Sequence, residues 1–192
     1  ISWYGNYSYV RASFETHQKI ASAGHSENPH ACEGPEEYGA GGDAAATADQ
    51  NSCEANESYQ IQVGPGDAIP GLSPHIGRLG ISFTLFDGFD LFVDGEYNSR
   101  QFYRGDENNA EGKQVPGYFL LNSSFEYTVP KQNSDAAGFS TSIFFEGRNL
   151  LDTNFETGGI LAENEVDGTG GSGTFVTPGQ PLTVFGGMKF TW

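Results

Sequence analysis

Basic residues are scarce in this chain: nine Lys and Arg stand against 25 Asp and Glu in 192 residues, a formal net charge of −16. Phosphate recognition needs a basic stripe, so nucleic acid is excluded as a partner. Long apolar runs are missing as well. Mean hydropathy is −0.44, and no stretch approaches the roughly 18 apolar residues of a membrane-spanning helix, which excludes helical spans but not barrel strands. Methionine occurs once and tryptophan and cysteine twice each. No nucleophile elbow, catalytic triad, phosphate loop or zinc-protease motif is present, so nothing in the sequence supports an enzyme. There is no initiating Met and no charged n-region before an apolar run; the chain reads as a fragment or a processed product.

What is plentiful is glycine and aromatics, 27 Gly with 15 Phe and 9 Tyr. Glycine is poor inside helices and aromatic rings suit a pleated surface, so the composition points to an all-β chain of short strands and Gly-rich turns. The carboxyl terminus shows the pattern most clearly. Leu182, Val184, Met188, Phe190 and Trp192 fall on one face of an alternating run, and Thr183, Lys189 and Thr191 on the other. A strand with one greasy and one polar face, ending on an aromatic, suits the closing strand of a transmembrane β-barrel, with lipid outside and water inside.

Period-two alternation predicts six strands: 2–15, 75–86, 90–103, 118–129, 139–151 and 182–192. Each is long enough to cross a bilayer when tilted, which takes about 9–11 residues. In the second, Leu79, Ile81, Phe83 and Leu85 oppose Arg78, Gly80, Ser82 and Thr84. In the third, Leu91, Val93, Gly95 and Tyr97 point outward while Asp94, Glu96, Asn98 and Arg100 point inward. The fourth sets Phe119, Leu121, Phe125 and Tyr127 against Asn122, Ser124, Glu126 and Thr128. The fifth sets Thr141, Ile143 and Phe145 against Ser140, Ser142, Glu146 and Arg148. Aromatics occupy both parities of the first strand, so its facing stays open and a bulge is expected there.

Asp87-Gly88 is the strongest hairpin signal. It and the 130–138 link are short, whereas about 17–74, 104–117 and 153–180 are long, which predicts long loops on one side of a membrane and short turns with Trp192 on the other. A soluble β-sandwich alternates in the same way with its greasy face inward. The loop-length alternation, the terminal aromatic and successive inward charges favour the barrel.

An ordered set of segments resembles the carboxyl-terminal barrel region of TonB-dependent outer-membrane receptors. They are Asn6-Tyr7-Ser8-Tyr9-Val10-Arg11-Ala12-Ser13-Phe14, Ile69-Pro70-Gly71-Leu72-Ser73-Pro74-His75, Tyr103-Arg104-Gly105-Asp106-Glu107-Asn108-Asn109 and Val115-Pro116-Gly117-Tyr118-Phe119-Leu120-Leu121-Asn122. Glu146-Gly147-Arg148-Asn149-Leu150-Leu151-Asp152 running into Asn154-Phe155-Glu156-Thr157, then Pro178-Gly179-Gln180-Pro181 and the terminal strand, complete the set. The resemblance implies an antiparallel transmembrane barrel of about 22 strands plugged by an amino-terminal domain. Residues 1–192 would supply about six of those strands and neither the plug nor the TonB-contacting segment. It implies import of a scarce nutrient, such as a ferric siderophore, another chelate or an oligosaccharide. Outer-membrane lipid and lipopolysaccharide, the rest of the barrel, the plug and the TonB system would be its partners. Long loops would be extracellular and the carboxyl terminus periplasmic. The alternative is a structural, adhesive or porin-like outer-membrane protein with binding loops.

Arg100, Tyr103, Arg104 and Phe155 are the candidate ligand-binding residues, by their loop and upper-lumen positions. Met188, Phe190 and Trp192 are the membrane-anchoring residues of the terminal strand. Cys32 and Cys53, with 20 residues between them in an acidic segment, read as a disulfide on an oxidising surface. Closing that loop would stabilise by about 3 kcal/mol. His25, His30 and Cys32, with His17 nearby, lack a fourth zinc ligand and are expected to be solvated. Calcium is the one inorganic ligand to consider, at Gly105 to Asn109 or at Glu163, Asn164, Glu165 and Asp167, although neither run matches a calcium-loop spacing. No other cofactor is expected.

Overall fold

The computed structural model describes residues 1–22, 25, 60–129, 140–164 and 171–191. Within them the chain is all-β. Twelve strands form: β1 (Ser2–Tyr9), β2 (Gln18–Ala21), β3 (Gln60–Val63), β4 (His75–Phe86), β5 (Phe89–Asn98), β6 (Gln101–Phe102), β7 (Gln114–Val115), β8 (Tyr118–Thr128), β9 (Ser140–Arg148), β10 (Glu156–Asn164), β11 (Gly171–Pro178) and β12 (Thr183–Thr191).

Six of them make one open antiparallel sheet in the order β1-β4-β5-β8-β9-β12. These are the six strands that alternation marks, and each pairs with the next of the six in chain order. Register confirms the faces. Ile81 pairs with Val93, Leu91 with Phe125, and Phe125 with Phe145, while Gly80 pairs with Asp94, Asp94 with Asn122, and Ser124 with Glu146. Directly opposed residues share a face, so every strand contributes apolar side chains to one surface and polar ones to the other. Phe89, Phe125 and Phe145 form a continuous ring ladder on the apolar face, with centroids 5.6 and 5.0 Å apart.

Three of the expected strands need correction. The first strand ends at Tyr9 rather than near Glu15, and its ladder with β4 runs without a bulge from Ser2↔Ser82 to Tyr9↔His75. That register puts Trp3, Tyr7 and Tyr9 on the apolar face and Tyr4, Asn6 and Ser8 on the polar one. Tyr4 is accommodated there because its ring stacks on Phe92, 5.9 Å away and nearly parallel, above the bare backbone of Gly80. The third strand stops at Asn98, where the chain breaks before β6. The fifth ends at Arg148, because Asn149 takes a left-handed φ of 51° and turns the chain.

The register irregularity lies instead between Thr84 and Phe86, beside the Asp87-Gly88 turn, where Gly88 has φ 82°. A Cβ at Gly88 would collide with the Thr128 carbonyl, so only glycine fits. This turn and the last described residue, Thr191, lie at one end of the sheet. The other six strands form hairpins at the opposite end: β2 with β3, β6 with β7 and β10 with β11.

The buried hydrophobic residues lie among those hairpins. Among the described residues Ile61, Val63, Tyr103, Val115 and Leu161 are the buried hydrophobics, and none belongs to the six-stranded sheet. On the sheet's apolar face Trp3, Val184, Met188 and Phe190 are 75, 65, 64 and 55% exposed. A soluble sandwich would cover such a face; a barrel leaves it to lipid. Trp192, Cys32, Cys53, His30, Glu165 and Asp167 lie outside the described residues, whereas His25, expected to be solvated, is buried at 3% exposure because it packs against Asp106.

Candidate functional site

The polar face carries a chain of paired charges at the hairpin end. Arg78 of β4 donates from Nη2 to Glu96 Oε2 on β5, and Asn98 Nδ2 donates to Glu96 Oε1 at 3.1 Å. Asn122 Nδ2 on β8 donates to Asp94 Oδ2 at 3.1 Å. On β9, Arg148 Nε donates to Glu146 Oε1 at 2.6 Å, with the guanidinium carbon 5.5 Å from the Phe185 ring centroid. Strand pairing brings these groups side by side because each sits at an inward parity of its own strand. Five carboxylates (Asp90, Asp94, Glu96, Glu126 and Glu146) share this face with three cations (Arg78, Arg148 and Lys189). The surface is therefore acidic.

Above that row the polar face opens into a hollow of about 380 Å³, bordered by Arg78, Glu96, Asn122, Arg148, Phe155 and Gln180. Phe155 stands at its rim with its ring 4.5 Å from Tyr118. The hollow is held open by Asn149, only 2% exposed. Its backbone N–H donates to Asn122 Oδ1 at 3.0 Å, and its Oδ1 accepts from the Thr153 N–H at 2.9 Å. Its Nδ2 donates to the carbonyls of Thr153 and Gln180, at 2.9 and 3.0 Å. One side chain thus fixes the turn after β9 to the approach to β12. An aromatic pair, an acidic wall with paired arginines and several amides can hold a polar ligand by hydrogen bonds and ring stacking.

The four predicted ligand residues do not converge. Phe155 borders this hollow. Arg104 borders a second one, of about 380 Å³, with Gly71, Gln101, Thr157, Ile160 and Phe175. Arg100 is exposed at the break between β5 and β6. Tyr103 is buried, 8% exposed, against Val115 and Leu161, and its hydroxyl donates to Glu156 Oε2 at 3.3 Å. Burial raises the Tyr103 pKa above its ordinary value, and the Glu156 carboxylate adds to the rise. Arg78, Asn122, Asn149 and Gln180 were not singled out as ligand residues from the sequence. Inward parity marked Arg78 and Asn122, but the pairings needed the register.

The hairpins are tied to one another. The Arg104 N–H donates to the Gly159 carbonyl and the Leu161 N–H to the Arg104 carbonyl, at 3.0 and 2.7 Å. Asn109 Oδ1 accepts from the Ala68 N–H at 2.6 Å, and its Nδ2 donates to the Ala68 and Asp106 carbonyls. Ser22 Oγ donates to the Gly105 carbonyl at 2.5 Å. Much of the oxygen considered for calcium is committed to these ties. Glu107 Oε1 accepts from Gly105 N–H and Asn108 Oδ1 from Ala110 N–H. Asp106 Oδ2 and Glu107 Oε2 are buried without a hydrogen-bond partner, but no cluster of three or more His, Cys, Asp or Glu gathers among the described residues.

A family model described as TonB dependent receptor-like, beta-barrel matches residues 1–150. The chain belongs to this TonB-dependent receptor family. TonB-dependent receptors are outer-membrane transporters, which work with a plug, with TonB and with small-molecule substrates. The apolar face of this receptor sheet is accordingly the lipid-facing one and the acidic, paired face the luminal one. Its hollow at Phe155 sits where the lumen meets the hairpin end.

Proposed function

We propose that this TonB-dependent receptor imports a scarce nutrient, a ferric siderophore, another chelate or an oligosaccharide, and that the hollow bordered by Phe155, Arg78, Glu96 and Arg148, with Tyr118 against the Phe155 ring, is part of its ligand path. The observation that carries this is the meeting of an aromatic pair with two arginine–carboxylate pairs, Arg78–Glu96 and Arg148–Glu146, at the hairpin mouth of the luminal face. The hairpins face the cell exterior and capture the ligand, and the short turns with the carboxyl terminus face the periplasm. Plug and remaining strands come from elsewhere in the full polypeptide, since about 22 strands are needed to close around a plug. The acidity of the luminal face and of Glu27 to Glu57 disfavours strongly anionic ligands.

The test is uptake by cells carrying the full-length protein under iron, cobalamin or carbohydrate limitation, with and without a working TonB. The expected result is one nutrient whose uptake needs both proteins and falls at least about tenfold in Phe155→Ala at equal folded barrel. TonB-independent uptake, or uptake indifferent to Phe155, overturns the proposal.

A further inference from the structure

The lipid-facing surface carries a slot. In register across four strands, Tyr7 of β1 faces Gly77 of β4, Gly77 faces Tyr97 of β5, and Tyr97 faces Phe119 of β8. A side chain is therefore missing between two tyrosines. A Cβ built on Gly77 would meet nothing within 4 Å, whereas one on Gly95 would lie 2.9 Å from the Phe119 ring that roofs it. One glycine is filled by a neighbour and the other is left open. The result is a hollow of about 460 Å³ bordered by Gly77, Tyr7, Tyr97, Leu79 and Phe119.

The shape selects the occupant. Strands are spaced by about 4.8 Å, so the backbones of β1 and β5 run about 10 Å apart with the two tyrosines as walls, a gap one side chain wide. A helix of about 10–12 Å diameter cannot enter it, but a hydrocarbon chain can. The slot is continuous with the face that outer-membrane residence places in hydrocarbon. Its hairpin-side end is polar: Tyr7 Oη lies 2.6 Å from His75 Nδ1, and the Tyr9 ring stands 5.0 Å from the imidazole. Phenol and imidazole at the level where strands leave the membrane match the ester and headgroup zone of a lipid.

We propose that the Gly77 slot holds one acyl chain of a membrane lipid from the hairpin-side leaflet, with Tyr7, Tyr9 and His75 against its polar end. The inference rests on the outer-membrane assignment and is independent of which nutrient is imported. Its test is native mass spectrometry of the full-length protein purified from an outer membrane and washed extensively in mild detergent. Wild type and the lipid-face control Val93→Phe should each keep one lipid per protein, and Gly77→Phe should lose it at least about tenfold. Tyr97→Ala, which removes a wall instead of filling the slot, should lose it too, and heat-modifiable gel mobility checks that each variant is folded. Equal retention in folded Gly77→Phe and Tyr97→Ala, a wild type that keeps no lipid, or a retained mass equal to detergent or a second copy overturns the proposal. Lipid retained as expected in a protein whose uptake proves TonB-independent or indifferent to Phe155 leaves the slot standing and defeats only the transport reading.

Discussion

His25 Nε2 lies 3.4 Å from Asp106 Oδ1, and both side chains are fully buried although 81 residues separate them. The pair ties the segment after β2 to the one after β6. Asp106 Oδ1 also accepts from the Glu111 N–H at 3.1 Å, so Asp106 organises its own turn and the contact between hairpins together. Removing one partner so that a buried polar group is left unsatisfied costs about 1–3 kcal/mol. Asp106→Ala should therefore loosen the hairpin package and leave the sheet intact. Limited proteolysis of the folded protein should show cleavage after β2 at least about tenfold faster, with gel mobility of the barrel unchanged.

Alkaline pH should act on the same package through Tyr103. Its pKa is raised by burial and by Glu156, so the folded state holds the phenolic proton more tightly than the unfolded chain does. The stability this represents is complete below the unfolded value of about 10 and is lost as pH climbs from there through the folded value. The denaturant midpoint for loss of the hairpin package should fall above about pH 10 in the wild type. In Tyr103→Phe that alkaline step should disappear.

Asn149 offers a test of the luminal hollow. Ala at this position loses three side-chain hydrogen bonds and must hold φ 51° without local compensation. At about 1 kcal/mol per bond the cost is about 3 kcal/mol. Asn149→Gly tolerates the φ but also loses the bonds, so it should recover only a fraction. Denaturant titration of the three proteins in micelles orders them wild type, Gly, Ala.

The two faces of the sheet should respond oppositely to charge. Ile81→Arg places a cation in hydrocarbon and should cost about 2–4 kcal/mol, the depth-dependent penalty for the lipid face of a barrel. Its neighbour Ser82 points to the lumen, and Ser82→Arg should be tolerated within about 1 kcal/mol. Refolding yield into vesicles compares the two directly.

Calcium can be tested on the two unpartnered oxygens, Asp106 Oδ2 and Glu107 Oε2. If they take a cation, chelator lowers the melting temperature of the wild type by several degrees and leaves Asp106→Asn unmoved. Equal melting with and without chelator rules the site out.

Strand parity made the sheet legible, because a strand with lipid on one side and water on the other must alternate, and β4, β5, β8, β9 and β12 do. Tyr4 hid the facing of β1: an aromatic on the luminal side is legible only once Phe92 and Gly80 are known to lie beside it. The β2–β3 and β6–β7 hairpins have no legible period because β2 and β3 are four residues each, and β6 and β7 two. Strands β10 and β11, nine and eight residues long, lie inside the stretch 153–180 that reads as a loop, where Gly158, Gly159, Gly171 and Gly173 interrupt the alternation. Tyr103 was chosen as a ligand residue by its place along the chain, but Val115 and Leu161 arrive from other hairpins and bury it. The clasp at Asn149 depends on Gln180, 31 residues downstream, and such a tie leaves no local signature.

The most direct test of the account is sidedness in living cells. With Cys32 and Cys53 replaced by serine in the full-length protein, single cysteines are placed at Ala110, exposed between β6 and β7, and at Asp87, exposed in the β4–β5 turn. They are probed with a membrane-impermeant maleimide. The account predicts that Ala110→Cys is labelled in intact cells and Asp87→Cys only after the outer membrane is permeabilised. Labelling of Asp87→Cys in intact cells, with Ala110→Cys protected, would contradict it.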